Sequence, residues 1–396
     1  MEVSKPLLLF VVLVVVVLTA GLVWISPGID TKLTSIPAVP TLLPLVDDDD
    51  YSPNEDGDEY GGLTAGNETN KFALQDLVKF LDKTGQYPVI VGGIGDSGTR
   101  GVRQVLRELG VQMLNEGEVN HHGDSKIYEE HYSVYDNASQ LWATRRARLL
   151  YKMAVHRTRQ LAYNSSAFSP KGWEWGRQFI GAMLTKSMQA STQTRMRKHK
   201  PLGVWGMKHP RTMFLLPFIV SALEHRVKFV HVLRDPKHIV SGNNQKMFME
   251  ECHRFYGGGP ERKCPKTLIK RFQFWADTNW EIYQFAQRYM TNQSYLLVRT
   301  EDFVLGTPQC YSRLARFVGA KPSKLAMENA IGSATPYRHR YFGTEMNDRT
   351  KLEVFEALKR SSSKLDIYNH YDVKTVAQNF GYSTNSFELD VDCERL

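Results

Sequence analysis

The stretch Tyr87–Gly110 reads YPVIVGGIGDSGTRGVRQVLRELG, and it falls into three parts. Val89, Ile90 and Val91 form a β-branched run too short for a helix and suited to a strand buried on both faces. Gly92, Gly93, Gly95 and Gly98 follow, residues that can take positive φ and let a ligand approach the backbone closely. Val102, Val105, Leu106 and Leu109 then recur at helical spacing. Strand, glycine-rich turn and helix deliver free N–H groups and the positive end of a helix dipole to one point, which suits a phosphate or sulfate.

The surrounding chain of 396 residues is 42% hydrophobic and 11% aromatic, enough for a sizeable α/β core. Its net charge of +8 is unevenly spread, because residues 26–70 carry ten acidic side chains against the single Lys32, leaving the remainder at about +17. So basic a body attracts anionic partners without choosing among nucleotides, acidic polysaccharides, nucleic acid and acidic peptides. Residues 7–25 carry no charge and are long enough to cross a bilayer, with Leu18-Thr19-Ala20 a poor cleavage site. The sequence therefore predicts a cytoplasmic tail (1–6), a signal-anchor (7–25), an acidic, Pro-rich disordered stem (26–70) and a lumenal catalytic domain (71–396). A cleaved signal is the competing reading. Sequons at Asn67, Asn137, Asn164 and Asn292 fit the lumenal side. Four cysteines allow three pairings; the glycine-rich turn between Cys252 and Cys264 favours joining those two, leaving Cys310 with Cys393. No Cys/His spacing suggests a metal.

Further strands are expected at 111–114, 202–207, 227–233 and 295–298, alternating with helices that include Leu268–Tyr289 and Pro308–Val318. That alternation argues for a parallel β-sheet flanked by helices. Residues 128–200 read as mostly helical and basic, either a solvated face or an acidic-polymer groove. Gly93-Ile94-Gly95-Asp96-Ser97-Gly98 matches GxGxxG, with Glu116 about twenty residues on, as a dinucleotide site would. An NAD(P)-dependent oxidoreductase is thus a real alternative. An ordinary ATPase or kinase is not, because Thr99 and Arg100 stand where the phosphate-binding lysine and its neighbouring hydroxyl belong. A second anion site is expected at Val227–Ser241, VKFVHVLRDPKHIVS, where Arg234 ends a strand and a helix follows. Two such loops suit a doubly phosphorylated nucleotide.

In this order the motifs resemble the sulfotransferase family. Ser97-Gly98-Thr99 matches its loop for the 5′-phosphosulfate of 3′-phosphoadenosine 5′-phosphosulfate, and Arg234-Asp235-Pro236 its 3′-phosphate segment. Lys208-His209-Pro210 is similar to its K-x-P segment, and Val298–Phe303 to its V-R-Y-E-D-L strand end. The resemblance implies a P-loop-like fold and, with the signal-anchor, the Golgi type II membrane branch. It implies transfer to a hydroxyl of a carbohydrate acceptor, open to an acidic one, with no metal and no nucleic-acid partner. Gly95, Ser97, Gly98, Thr99, Arg100, Arg234 and Ser241 would hold the nucleotide. Glu118 is the first candidate for the base, Glu116 the second and His209 the third, and Lys208 would stabilise the transferring group.

The chain departs from the family in two places. The cation that normally precedes S-G-T is Asp96, so Lys208, Arg100 or Arg103 must supply the positive charge, or the protein is a catalytically inactive glycan-binding relative. The family serine eight residues after the R-D-P arginine is replaced by Gly242, with Ser241 just before it. A late basic loop of the family is echoed loosely by Arg338 to Gly343, which would bring in Arg338 and Arg340.

Overall fold

A computed structural model describes residues 67–114, 119–121, 124–128, 180–188, 203–242, 252, 267–305, 307–342, 346–363, 371–387 and 393. All belong to the larger of two units, Pro44–Leu396. The predicted tail, signal-anchor and most of the stem, and most of the basic stretch 128–200, lie outside the described residues. Among the described residues no helix is long and apolar enough to cross a membrane.

Five described strands form one parallel sheet: β1 (Val89–Gly92), β2 (Gln112–Met113), β3 (Trp205–Lys208), β4 (Lys228–Leu233) and β5 (Tyr295–Arg299), ordered β2-β3-β1-β4-β5. The period-two alternation of β1 distributes its side chains to the two faces. Ile90 packs on one face with Leu77, Leu81, Met207, Phe229 and Trp275, beneath the helices Asn67–Thr84 and Leu268–Tyr289. Val89 and Val91 point to the other, against Val102, Val105 and Leu106 of the helix Thr99–Glu108 and Leu314 of Pro308–Val318. Burial on both faces explains why these strands read as unbroken apolar runs.

The register aligns the strand ends, pairing Val91 with Lys208, Gly92 with His231, and Leu233 with Arg299. The segments after β1, β3, β4 and β5 therefore emerge along one edge of the sheet, where parallel α/β sheets bind ligands. The strand order also separates two candidate nucleotide folds. A dinucleotide fold, ordered 3-2-1-4-5-6, sets β2 beside β1, so that the acidic residue after β2 reaches the ribose. Here β3 lies between them, so β2, the strand that precedes Glu116 in the sequence, stands one place too far away. The structure thus removes the geometric basis of the oxidoreductase reading.

One local expectation is corrected and another sharpened. The family resemblance implies a basic loop from Arg338, but the helix Lys324–Phe342 runs through both Arg338 and Arg340. Of Gly92, Gly93, Gly95 and Gly98, only Gly98 has positive φ; the other left-handed residue of the turn is Asp96, at φ 70. Asp is among the few non-glycine residues that tolerate this region, through short local hydrogen bonds.

Candidate donor and acceptor site

The loop after β1 is shaped by close approach. A Cβ on Gly93 would lie 2.5 Å from both Ser97 Oγ and the Val232 carbonyl oxygen, so only glycine fits there. Ser97 N–H donates to Ile94 O at 2.9 Å, Gly93 N–H to Pro210 O at 3.2 Å, and Thr300 Oγ1 to Ser97 O. The loop is thus pinned by the ends of both β3 and β5. Gly98, at φ 91, is the N-terminal cap residue of Thr99–Glu108 and carries no side chain to satisfy the first helical N–H groups. Ser97 Oγ is buried and makes no hydrogen bond among the described residues. A buried hydroxyl without a partner is costly unless a ligand supplies one. Together with the N–H groups of the first helical turn, it fits an anion. Thr99 is buried and Arg100 half-buried in the first turn.

After β4, Arg234 is half-buried and its Nη1 donates to the Asp96 carbonyl at 3.1 Å. That bond joins the two predicted anion loops into one site. Asp235 caps the following short helix, accepting from Lys237 N–H at 2.8 Å and pairing with Lys237 Nζ at 2.9 Å. Burial raises the Asp235 pKa, against the opposing pull of Lys237 and Arg234. Ser241 turns back into its own helix, donating to Lys237 O at 2.7 Å, so its oxygen is left only as an acceptor. The two departures from the family pattern lie against each other. A Cβ on Gly242 would sit 3.0 Å from Asp96 Oδ2, and the missing side chain makes room for the carboxylate.

Lys208 ends β3 almost fully buried, its Nζ in an ion pair with Asp124. Asp124 is held in turn by Asn120, whose Oδ1 accepts its N–H at 3.0 Å. The bridge between Val119 and Ser125 closes this turn, and Ser125 N–H donates to Lys208 O at 2.9 Å. Burial lowers the Lys208 pKa; Asp124 opposes the shift, while Arg100 and Arg103 add to it. Arg103 is buried and donates to Leu114 O at 2.8 Å. Of the three cations that could stand in for the one replaced by Asp96, Lys208 faces a carboxylate and Arg103 a carbonyl.

Asp124 escaped the sequence reading because nothing local marks it; its partner is 84 residues away. His209 is buried and stacks on Tyr128 at 3.9 Å, and its Nδ1 accepts from Arg211 N–H at 3.2 Å. Burial, reinforced by Arg211 and Lys208, holds its pKa well below the usual histidine value. The ring is thus neutral, with its proton on Nε2. Glu116 and Glu118 lie outside the described residues, in the sequence between β2 and Val119. A cavity of about 850 Å³ lined by Tyr87, Lys228, Tyr283 and Phe317 lies at the opposite, N-terminal edge of the strands, away from these loops. Among the described residues no group of His, Cys, Asp and Glu could hold a metal ion.

A five-stranded parallel sheet flanked by helices, with the loops after β1 and β4 linked at the C-terminal ends of its central strands, defines an α/β fold whose candidate site lies at that edge. A family model described as the sulfotransferase family matches residues 88–322, more than half of the chain, and the chain belongs to that family. Among solved structures, the sulfotransferase STF1 of Mycobacterium tuberculosis H37Rv is similar at 13% identity and a TM-score of 0.33, over 71% of this chain and 81% of that one. No curated protein sequence matches. A disulfide joins Cys310 to Cys393 as expected; Cys252 is disulfide-bonded as well, and Cys264 lies outside the described residues.

Proposed function

We propose that this chain transfers a sulfuryl group from 3′-phosphoadenosine 5′-phosphosulfate to a carbohydrate hydroxyl in the Golgi lumen, anchored as a type II protein by residues 7–25. The observation that carries the reading is the bond from Arg234 to the Asp96 carbonyl beside the buried Ser97 hydroxyl. It sets two anion-binding loops side by side, as a nucleotide phosphorylated at both ends requires. The apolar run, the acidic stem, the sequons and the Cys310–Cys393 disulfide support the lumenal placement.

In this reading Ser97, Gly98, Thr99 and Arg100 hold the 5′-phosphosulfate, with Gly95 leaving the backbone room to approach. Arg234 holds the 3′-phosphate with Ser241 as an accessory. The acceptor oxygen bonds to sulfur as the bond from sulfur to the bridging oxygen breaks, and adenosine 3′,5′-bisphosphate leaves. The acceptor proton passes to Glu118, with Glu116 the alternative. Lys208 and Arg100 offset the negative charge that gathers on the bridging oxygen. His209, with Nδ1 engaged, orients the segment rather than taking the proton. A second reading, glycan binding without transfer, is favoured by Asp96 and by the neutralisation of Lys208 by Asp124.

The test is calorimetric titration of the lumenal portion with adenosine 3′,5′-bisphosphate and with NAD, followed by transfer of radiolabelled sulfate across a glycan panel. Binding of the bisphosphate, transfer to a glycan and a loss of at least about 100-fold in turnover for Glu118→Gln are expected. Failure to bind the bisphosphate sinks the donor assignment. Binding without transfer to any acceptor leaves the second reading standing.

A further inference from the structure

The family match ends at residue 322, yet a segment some sixty residues further on is built into the back of the Arg234 loop. Three consecutive residues engage it. Gly381 O accepts from Arg299 Nη1 at 3.0 Å, Tyr382 OH donates to Glu301 Oε2 at 3.2 Å, and Ser383 O accepts from Lys237 Nζ. Glu301, buried at the start of the helix after β5, uses its other oxygen, Oε1, to accept the Asp235 N–H at 2.8 Å. On the other side of the same peptide unit, the Arg234 carbonyl accepts from Trp275 Nε1 at 3.1 Å. The Trp275 ring stands edge-on to Phe380 and Tyr382, at 6.0 Å from each. Both ends of the Arg234–Asp235 peptide are therefore held by side chains that residues 380–383 hold in turn. The Cys310–Cys393 disulfide ties down the chain beyond them.

A buried carboxylate keeps one orientation only while both oxygens find donors. Tyr382 supplies one donor to Glu301 and the Arg234–Asp235 peptide receives the benefit of the other. Removing the phenol hydroxyl takes one donor from the carboxylate and loosens its hold on the peptide that aims the Arg234 guanidinium. No other described contact of the Asp235 N–H replaces it.

We infer that residues 380–383 form a strap that aims Arg234, and that Tyr382, acting through Glu301, is a positioning residue setting the preference for a nucleotide bearing a 3′-phosphate. This rests on the donor reading above. It extends the donor site to a segment outside the family match, and it assigns the strap a role in discrimination rather than in cover alone. The loop after β1, which is pinned independently by Thr300 and by the end of β3, keeps its grip on the 5′ end.

The test compares adenosine 3′,5′-bisphosphate with adenosine 5′-monophosphate by calorimetry on the wild type and on Tyr382→Phe, Glu301→Ala and Glu301→Gln, with melting temperatures alongside. The wild type is expected to prefer the bisphosphate. Tyr382→Phe, which keeps the ring against Trp275, should cut that preference about fivefold to tenfold while shifting monophosphate affinity less than about twofold. Glu301→Ala should cut it further, and Glu301→Gln, which retains an oxygen for the Asp235 N–H, should recover part. An unchanged preference in folded Tyr382→Phe and Glu301→Ala, or equal losses for both nucleotides, makes the strap a structural cover and overturns the proposal while leaving the donor reading intact. A wild type without any preference for the bisphosphate overturns the donor reading, and the proposal with it.

Discussion

Replacing Gly98 by alanine probes the loop that organises this protein, and the structure gives the size of the effect. Two costs combine. The residue sits at φ 91 and ψ 14, where an L side chain costs about 1–2 kcal/mol. Its new Cβ would also meet Thr300, lying 2.7 Å from Cγ2 and 3.1 Å from Cβ, with Oγ1 nearer still. Overpacking of this kind adds about 1–3 kcal/mol. If the loop rather than the whole fold yields, a total of about 2–5 kcal/mol appears as a loss of roughly 30-fold to 5,000-fold in affinity for adenosine 3′,5′-bisphosphate. Thr300→Ala separates the costs, since it removes Oγ1 and Cγ2 and leaves the backbone term. Measured against Thr300→Ala, adding Gly98→Ala should cost only about 1–2 kcal/mol, a coupling of about 1–3 kcal/mol between the two positions. Calorimetry on the four proteins, with melting curves to confirm folding, reads the cycle. Additive losses would mean that Thr300 does not bound the loop, and an affinity in Gly98→Ala equal to wild type would refute the steric argument altogether.

Two further predictions concern charge. His231 is buried, with Nδ1 accepting from Tyr295 OH at 2.7 Å and Nε2 donating to Asn279 Oδ1 at 3.1 Å, and burial lowers its pKa to about 4. The unfolded chain therefore binds a proton that the folded one refuses, so this contribution to stability is complete above about pH 6.5 and falls as pH drops towards 4, by about 3 kcal/mol at pH 4. Urea midpoints across that range should fall less steeply in His231→Gln, and an identical slope would rule this histidine out. Asp96→Asn keeps a residue at ease at positive φ and removes the charge beside the anion loops. It should tighten adenosine 3′,5′-bisphosphate binding about tenfold at low salt, with the gain shrinking as salt rises; unchanged or weaker binding would show that the carboxylate is tolerated by the bound nucleotide.

The elements legible in the sequence were those carried by a local period. The helices Leu268–Tyr289 and Pro308–Val318 run over the residues their apolar spacing implied, and β1, β4 and β5 differ from expectation by a single residue at an end. The turn glycines were legible as a class, but their individual conformations were not. Whether Gly93 needs space or Gly98 needs positive φ depends on Val232 and Thr300, which are distant in sequence. The helix through Arg338 and Arg340 is not legible in the sequence, because the family echo implies a loop there and no strong one-sided apolar stripe argues against it.

The sequence by itself determined that a strand, a glycine turn and a helix would follow one another around Ser97, and that Arg234 would follow the end of a second strand, because strand period, helical period and turn chemistry act over a few residues. Only the tertiary structure decided that β3 inserts beside β1, which separates this fold from a dinucleotide fold, and that Arg234 reaches the Asp96 carbonyl. It also decided that Lys208 meets Asp124, that Gly242 clears space for the Asp96 carboxylate, and that Tyr382 stands behind Glu301. The physical reason is the same in each case. Strand order and buried polar pairing are settled by which distant surfaces exclude water together, and no local pattern of residues records that choice.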